Sequence, residues 1–262
     1  MSRITAIFTG LRDEHRRALM PFLVAGYPGL DATEMLLSSL HESGAAIAEV
    51  GIPFSDPIAD GPVIAAAMHQ SLASGTTVDA ILAAVRRIRP HTPIGLVAMV
   101  SQSIVHRRGG ATFVAHLADA GFDGLIIPDV DLQAADALLP AVDAAGLSFS
   151  TLIAPTTTEQ RLAALLKRCR GFIYLLARTG LTGTRADLPD LAPRVEQIRR
   201  FTELPIAAGF GISTPAQVRE ATRHCDAAIV GSALVRRMAE AGDPAQAGRE
   251  FVEMLASGLT GP

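Results

Sequence analysis

Residues 49–61 carry three carboxylates at positions where the backbone is constrained. Glu49 lies in the short apolar run 46–51, and Asp56 and Asp60 follow in a proline-rich loop. Burying an acid in an apolar strand is costly unless the acid has a task, and prolines fix φ, so the loop acids hold defined positions. The pattern predicts a catalytic site; the alternative is an edge-strand glutamate followed by turn-forming aspartates.

Two other kinds of chemistry fit the sequence poorly. A Schiff-base mechanism needs a lysine on a strand, whereas the single lysine, Lys167, falls in a predicted helix. A metal-dependent mechanism needs clustered histidine and carboxylate ligands, yet of the seven histidines only His106 falls in a loop that follows a predicted strand. Because the sequence also contains no Rossmann fingerprint and no P-loop, we expect no metal and no cofactor. The carboxylates, together with Tyr174, then favour proton transfer.

Eight apolar runs of strand length recur along the chain, and segments with apolar residues at helical spacing lie between them. The runs are 19–25, 46–51, 94–99, 124–127, 148–153, 172–176, 205–208 and 227–230. This alternation predicts an α/β fold, and eight units in 262 residues favour one (β/α)8 TIM barrel domain over residues 1–262. We expect an extra N-terminal helix and an extra helix after strand 2, over 63–73. A doubly wound open sheet is the alternative.

Glycines mark the loops after the seventh and eighth strands. Gly209 and Gly211 follow the seventh strand, and Gly231 and Ser232 follow the eighth. Barrel enzymes often bind phosphate at these two loops, because glycine lets backbone N–H groups approach an anion and a helix N-terminus adds positive charge. We expect a phosphate site here; ordinary tight turns are the alternative.

The composition excludes several classes of function. The net charge is −3 and no basic block is present, which argues against nucleic-acid binding. No stretch approaches the roughly 20 apolar residues of a membrane helix, and residues 12–17 are rich in charge where a signal peptide needs apolar residues. The two cysteines have no metal-binding spacing. We therefore expect a cytoplasmic protein without a membrane or nucleic-acid partner.

Several segments together resemble the family of the tryptophan synthase alpha subunit. Besides residues 49–61, the runs that carry the resemblance are 21–28, 171–174, 178–183, 209–213 and 231–232, in order and at the family's spacing. The resemblance implies a retro-aldol cleavage of indole-3-glycerol phosphate to indole and glyceraldehyde 3-phosphate. It also implies that Glu49 is the general acid and base, that Asp60 accepts the indole N–H, and that Tyr174 lies beside the reacting centre.

The same resemblance implies a set of substrate-binding residues. Phe22 and Ile153 would flank the indole, and Thr182, in a long loop that covers the substrate, would reach Asp60. The phosphate would be held by residues from three loops: Gly183, Phe210, Gly211, Gly231 and Ser232.

The family also implies a partner, a pyridoxal-phosphate-dependent beta subunit that receives indole in an alpha2beta2 complex. Two loops that face this partner depart from the family pattern, at Met99 to Ser103 and at Val130 and Asp131. Three other functions stay open: a stand-alone indole-releasing lyase, a different phosphate-binding barrel isomerase, and a non-catalytic subunit that activates a partner.

Overall fold

A computed structural model of the chain describes residues 2–57, 60–177, 189–209 and 211–259. Within these ranges the strands form one parallel sheet of nine strands in the order β5-β4-β3-β2-β1-β9-β8-β7-β6. The strands are β1 Ala18–Val24, β2 Ile47–Gly51, β3 Gly95–Met99, β4 Gly124–Ile126, β5 Ser148–Ser150, β6 Leu152–Ile153, β7 Ile173–Leu176, β8 Ile206–Gly209 and β9 Ala227–Val230.

The sheet closes at the fifth strand of the predicted barrel. The two strands at the ends of the sheet order, β5 and β6, follow each other in the chain with only Thr151 between them. β5 pairs with β4, and β6 pairs with β7. The fold is therefore a (β/α)8 barrel, as the sequence predicted, in which the strand predicted at 148–153 is interrupted once.

Helices surround the sheet. They are α1 Arg3–Asp13, α2 Leu30–Ser39, α3 Pro62–Ala73, α4 Val78–Ile88, α5 Gln102–Arg107, α6 Ala111–Ala120, α7 Leu132–Ala145, α8 Glu159–Leu166, α9 Ala192–Arg199, α10 Pro215–Thr222, α11 Ser232–Ala239 and α12 Pro244–Ala256. A helix precedes β1, and two helices, α3 and α4, lie between β2 and β3. Two further strands are each followed by two helices, which the sequence did not predict: α5 and α6 follow β3, and α11 and α12 follow β9. No helix in the described ranges is long and apolar enough to cross a membrane.

The strand residues alternate between two apolar layers. Residues such as Ile47, Val97 and Tyr174 belong to a cluster inside the barrel, whereas their neighbours along the strands belong to the larger cluster between strands and helices. Helix α1 closes the amino-terminal end of the barrel: its Ile4 belongs to the inner cluster, and a Cβ on Gly95 would lie 2.5 Å from Cδ1 of Ile4.

Helix α3 covers the carboxyl end of β1. Its buried residues Ile64 and Met68 form a third apolar cluster with Phe22 of β1. The hydroxyl of Ser71, also in α3, donates a hydrogen bond of 2.7 Å to the carbonyl oxygen of Ala25. These contacts fix the loops that follow β1 and β2 relative to each other, and the second loop carries Asp60.

Candidate active site

Glu49 points into the barrel. In β2 it lies two residues after Ile47, which belongs to the inner cluster, while Ala48 and Val50 belong to the outer one. The side chain is fully buried, and neither carboxylate oxygen has a hydrogen-bond partner among the described residues. Because burial penalises the charged form, the pKa of Glu49 is raised well above its ordinary value. A buried acid in this state holds a proton that it can donate.

Asp60 lies at the end of the loop that leads from β2 to α3. Its backbone N–H donates to the carbonyl oxygen of Pro57 at 3.1 Å. Partial burial raises the pKa of the Asp60 carboxyl from 3.8 to about 6. At neutral pH Asp60 is therefore mostly ionised and can accept a hydrogen bond as a fixed anion.

Tyr174 of β7 is buried inside the barrel. Burial raises the pKa of its phenol, and the nearby charges of Glu49 and Asp60 raise this pKa further. A Cβ on Gly209 would lie 2.9 Å from the Tyr174 hydroxyl oxygen, so that hydroxyl lies against the end of β8. The structure thus brings Tyr174 close to both acids, and the hydroxyl stays protonated as a hydrogen-bond donor.

The ring of Phe22 lies between the ends of two other strands. A Cβ on Gly51, the last residue of β2, would lie 2.6 Å from Cζ of Phe22, and one on Gly231, just after β9, would lie 3.4 Å from Cδ1. Phe22 is also paired with Glu49 in the sheet register. The ring therefore forms an apolar wall beside the buried acid.

The structure does not place Ile153 with these residues. Ile153 is fully buried in the outer cluster, between strands and helices, whereas its neighbour Leu152 packs against the inner cluster. The register agrees, since Leu152 pairs with Tyr174 and Ile153 pairs with Leu175 of the outer cluster. The role of Ile153 beside the substrate therefore stays a prediction, and Leu152 is the residue of this strand that packs against the inner cluster.

The two glycine-marked loops differ in how their helices begin. The first turn of α10 is capped within the chain, because the Thr214 side chain accepts from the Gln217 N–H. Helix α11 has Gly231 as its N-cap, with no side-chain hydrogen bond to its first turn, and Ser232 is its first residue. Its N–H groups can therefore receive an anion. Gly211 has a φ of +82°, a conformation that favours glycine.

A cavity of about 340 Å³ lies over the loops that follow β2, β3 and β4. Asp60 contributes to its wall, and most of the other residues that line it are apolar. The lining consists of Ile52, Phe54, Asp56, Pro57, Asp60, Met68, Met99, Val100, Ser101, Ser103, Pro128 and Asp129. This arrangement suits a planar apolar group with one hydrogen-bond donor.

Comparison with known proteins agrees with this geometry. The family profile described as "Tryptophan synthase alpha chain" matches residues 8–260. The tryptophan synthase alpha chain of a Cyanothece species is 39% identical over 265 residues, which cover 99% of both chains. That of Prochlorococcus marinus is 44% identical and covers 91% of this chain and 87% of the relative. The chain belongs to the tryptophan synthase alpha chain family.

Solved structures support the same assignment. A structure of Mycobacterium tuberculosis tryptophan synthase superposes with a TM-score of 0.91 at 36% identity, covering 99% of this chain and 98% of the other. Subunit alpha of Legionella pneumophila tryptophan synthase gives 0.90 at 31% identity, with 99% and 98% covered. The alpha-chain reaction is the cleavage of indole-3-glycerol phosphate to indole and glyceraldehyde 3-phosphate, a lyase step of tryptophan biosynthesis.

Three residues that the tryptophan synthase alpha resemblance assigned to substrate binding lie outside the described residues. They are Thr182, Gly183 and Phe210. Their roles stay predictions.

Two contacts that hold the loops after β2, β3 and β4 of this alpha chain were not predicted from the sequence. Nε2 of His69, in α3, lies 3.0 Å from the carbonyl oxygen of Ser55, to which the ring N–H donates. Asp129, in the loop after β4, accepts from the Ser101 hydroxyl at 3.0 Å and from the Gln102 N–H at 2.8 Å. A histidine in a helix and an aspartate in a loop are both common, so the sequence held no signal that singled out these contacts.

Proposed function

We propose that this alpha chain cleaves indole-3-glycerol phosphate with Glu49 as general acid and base and with Asp60 as the acceptor of the indole N–H. The observation that carries the proposal is the state of Glu49: it is fully buried inside the barrel, neither oxygen has a hydrogen-bond partner in the part of the chain that the structure describes, and its pKa is raised. An acid kept in this state has the proton that the first step requires.

The two proton transfers balance at Glu49. The protonated carboxyl donates to C3 of the indole, and the ring becomes electron-deficient. The resulting carboxylate then accepts the proton of the side-chain hydroxyl, the carbon–carbon bond breaks toward the ring, and an aldehyde and indole form. Asp60, ionised at neutral pH because its pKa is about 6, stabilises the positive charge on the ring between these steps. The two acids have distinct roles because their surroundings differ.

The remaining residues position the substrate. Phe22 and Leu152 form apolar walls, and the Tyr174 hydroxyl donates a hydrogen bond close to the reacting centre. The phosphate binds at Gly211, Gly231 and Ser232, where the open first turn of α11 supplies N–H donors. The family resemblance assigns Gly183 and Phe210 to phosphate binding and Thr182 to Asp60, and these three roles rest on the resemblance alone.

We further propose that the chain works, as one barrel domain, with a pyridoxal-phosphate-dependent beta subunit in an alpha2beta2 complex in the cytoplasm. What supports the partner is membership of an alpha-chain family and an apolar cavity that lies among the loops after β2, β3 and β4. Indole released beside Asp60 would leave by this cavity. A stand-alone lyase is the alternative, and measuring indole release with and without the cognate beta subunit discriminates between the two.

The decisive experiment replaces each acid by its amide. Glu49→Gln and Asp60→Asn keep size and polarity but abolish proton transfer and charge, and one positioned group of this kind is worth about 10²–10⁴ in rate. Single-turnover cleavage should fall by that amount in both variants, with an unchanged circular dichroism spectrum. Asp79→Asn, at an exposed carboxylate of α4, is the matched control and should cleave like the wild type. Folded acid variants that keep more than about a tenth of the rate would overturn the assignment.

A further inference from the structure

Met99 lies where three parts of the site meet. It is the last residue of β3, and it packs against both the inner cluster that contains Tyr174 and the cluster that contains Phe22. It also lines the cavity that Asp60 lines. A side chain in this position touches the boundary between the barrel interior and the cavity over the loops.

The neighbouring strand leaves space next to Met99. Met99 pairs with Gly51 in the sheet register, and Gly51 has no side chain, so the ring of Phe22 lies over it. From the helix side Met68 reaches the same boundary, since it belongs to the Phe22 cluster and also lines the cavity. The apolar space beside Asp60 is thus bounded by two methionines and one aromatic ring.

Methionine makes such a boundary adjustable. Its side chain is unbranched, has three rotatable bonds and ends in a polarizable thioether, so it fits irregular surfaces and moves aside at low cost. A β-branched or aromatic residue at the same position would give a wall of fixed shape. The side chain at position 99 therefore shapes the apolar space beside Asp60.

We propose that Met99 determines the specificity of this enzyme for the indole ring, and that it admits substrates with a substituent on the six-membered ring. The inference rests on the proposed function, in which Asp60 accepts the indole N–H. Since Asp60 and Met99 line one cavity, a ring anchored at Asp60 extends along Met99. Met68 contributes to the same wall as a positioning residue.

The test compares two substitutions of opposite size. Met99→Phe narrows the space and Met99→Ala widens it, while Met254→Phe and Met254→Ala make the same changes at an exposed methionine of α12. Single-turnover kcat/KM is measured for indole-3-glycerol phosphate and for its analogues methylated at each carbon of the six-membered ring, with the cognate beta subunit present. The readout is the ratio of methylated to unsubstituted substrate within each variant, because a change in folding or in partner activation affects both substrates alike.

One methylene group against an apolar wall changes kcat/KM by about 10- to 200-fold. We expect the wild type to cleave at least one methylated analogue with a kcat/KM within about tenfold of that for the natural substrate. Met99→Phe should lower the ratio of methylated to unsubstituted substrate by at least about tenfold, and Met99→Ala should keep or raise this ratio. The Met254 variants should keep the wild-type ratio. If Met99→Phe does not fold, a ratio lowered in Met99→Ala still overturns the proposal.

Failure of the proposed function and failure of the proposed role of Met99 give different results. If the wild type does not cleave the unsubstituted substrate, the proposed function is wrong. If it cleaves that substrate normally but rejects every methylated analogue, or if the Met99 and Met254 variants share one ratio, only the role of Met99 is wrong.

Discussion

The ring of Phe22 occupies the space that a side chain at position 51 would need, since a Cβ on Gly51 would lie 2.6 Å from Cζ and 2.8 Å from Cε2 of Phe22. Gly51 ends the strand that carries Glu49. The absence of a side chain there lets the ring lean across β2 toward Met99, with which Gly51 pairs. The φ of Gly51 is not positive, so packing requires a glycine at this position and backbone conformation does not.

We predict that Gly51→Ala lowers kcat/KM by at least about tenfold, because misplacing a substrate-positioning group by about 1 Å costs on the order of 10²-fold. The added methyl group must push the Phe22 ring away from its place beside Glu49. Steady-state cleavage of indole-3-glycerol phosphate measures the effect. Gly10→Ala is the control: nothing lies within 4 Å of its new Cβ, and it should keep full activity. Wild-type kinetics in Gly51→Ala would show that the ring position is irrelevant to catalysis.

The pH profile of cleavage should have an acid limb that belongs to Asp60. Burial raises the Asp60 pKa to about 6, so the anion that accepts the indole N–H is lost as the pH falls through about 6. The substrate phosphate also titrates near pH 6. Asp60→Asn separates the two: its residual activity should lose the part of the limb that comes from the carboxyl. An identical limb in both proteins would assign all of it to the phosphate.

Glu49 should lower the stability of the folded protein at neutral and alkaline pH. Its pKa is raised in the folded protein, so the folded state holds this proton more tightly than the unfolded state does. The stabilisation from the protonated form is complete below the unfolded pKa of about 4.3 and is lost as the pH rises through the folded pKa. Glu49→Gln cannot ionise, and its advantage over the wild type should therefore grow with pH.

Urea unfolding midpoints, measured across this pH range, test the prediction for Glu49. The midpoint of the wild type should fall relative to that of Glu49→Gln as the pH rises, whereas Asp79→Asn, at an exposed side chain, should follow the wild type above about pH 5. Parallel curves for Glu49→Gln and the wild type would mean that Glu49 titrates normally in the folded protein.

A negative charge at Ser232 should weaken phosphate binding without harming the fold. Ser232 begins α11, and an acid in the first turn stabilises a helix by about 0.3–1 kcal/mol. The same charge repels the phosphate, and losing one charge-assisted hydrogen bond, worth about 1.5–3 kcal/mol, raises KM by roughly 10- to 100-fold. Ser232→Asp is compared with the neutral Ser232→Asn on phosphorylated and dephosphorylated substrate. Equal losses of Ser232→Asp on both substrates would place the phosphate elsewhere.

Glu49 could be singled out from the sequence because a charged residue is unusual at its position. A charged residue inside a run of small and branched apolar residues conflicts with burial, and strand alternation then places it on one face of the sheet together with Ile47. Ile153 carried no such signal, because Leu152 beside it is equally apolar. Alternation continues across Thr151, with Phe149 and Ile153 in the outer cluster and Leu152 against the inner one, but nothing in the apolar run shows which of its residues faces inward.

Helix α5 escaped prediction for a related reason. Six residues, Gln102–Arg107, span fewer than two helical turns, so apolar periodicity has no length in which to appear. Its start depends on Asp129, which follows another strand and accepts from the Ser101 hydroxyl and the Gln102 N–H. The start of α5 therefore depends on a tertiary contact with a neighbouring loop. Sequence spacing alone does not show such a contact.

Asp129 and Asp131 lie close in sequence but hold different structures. Asp129 joins the loops after β3 and β4, whereas Asp131 caps α7 by accepting from the Ala134 N–H at 2.8 Å. From the sequence, Asp131 was expected to need a basic or hydrogen-bonding partner if its turn forms part of the contact face. In the structure the exposed Asp131 carboxylate has a hydrogen-bonding partner in its own helix.

Asp129→Ala should therefore weaken binding of the cognate beta subunit, since it frees the loop at 99–104 and the complex must then order that loop at a cost in affinity. Asp131→Ala should lower the stability of the alpha chain by about 1 kcal/mol and leave binding close to wild type. Calorimetric titration with the beta subunit, combined with urea unfolding of each variant, measures both effects. Equal binding by the two variants would show that the loop held by Asp129 does not belong to the contact surface. Weakened binding by Asp131→Ala alone would restore the direct contact that the sequence suggested.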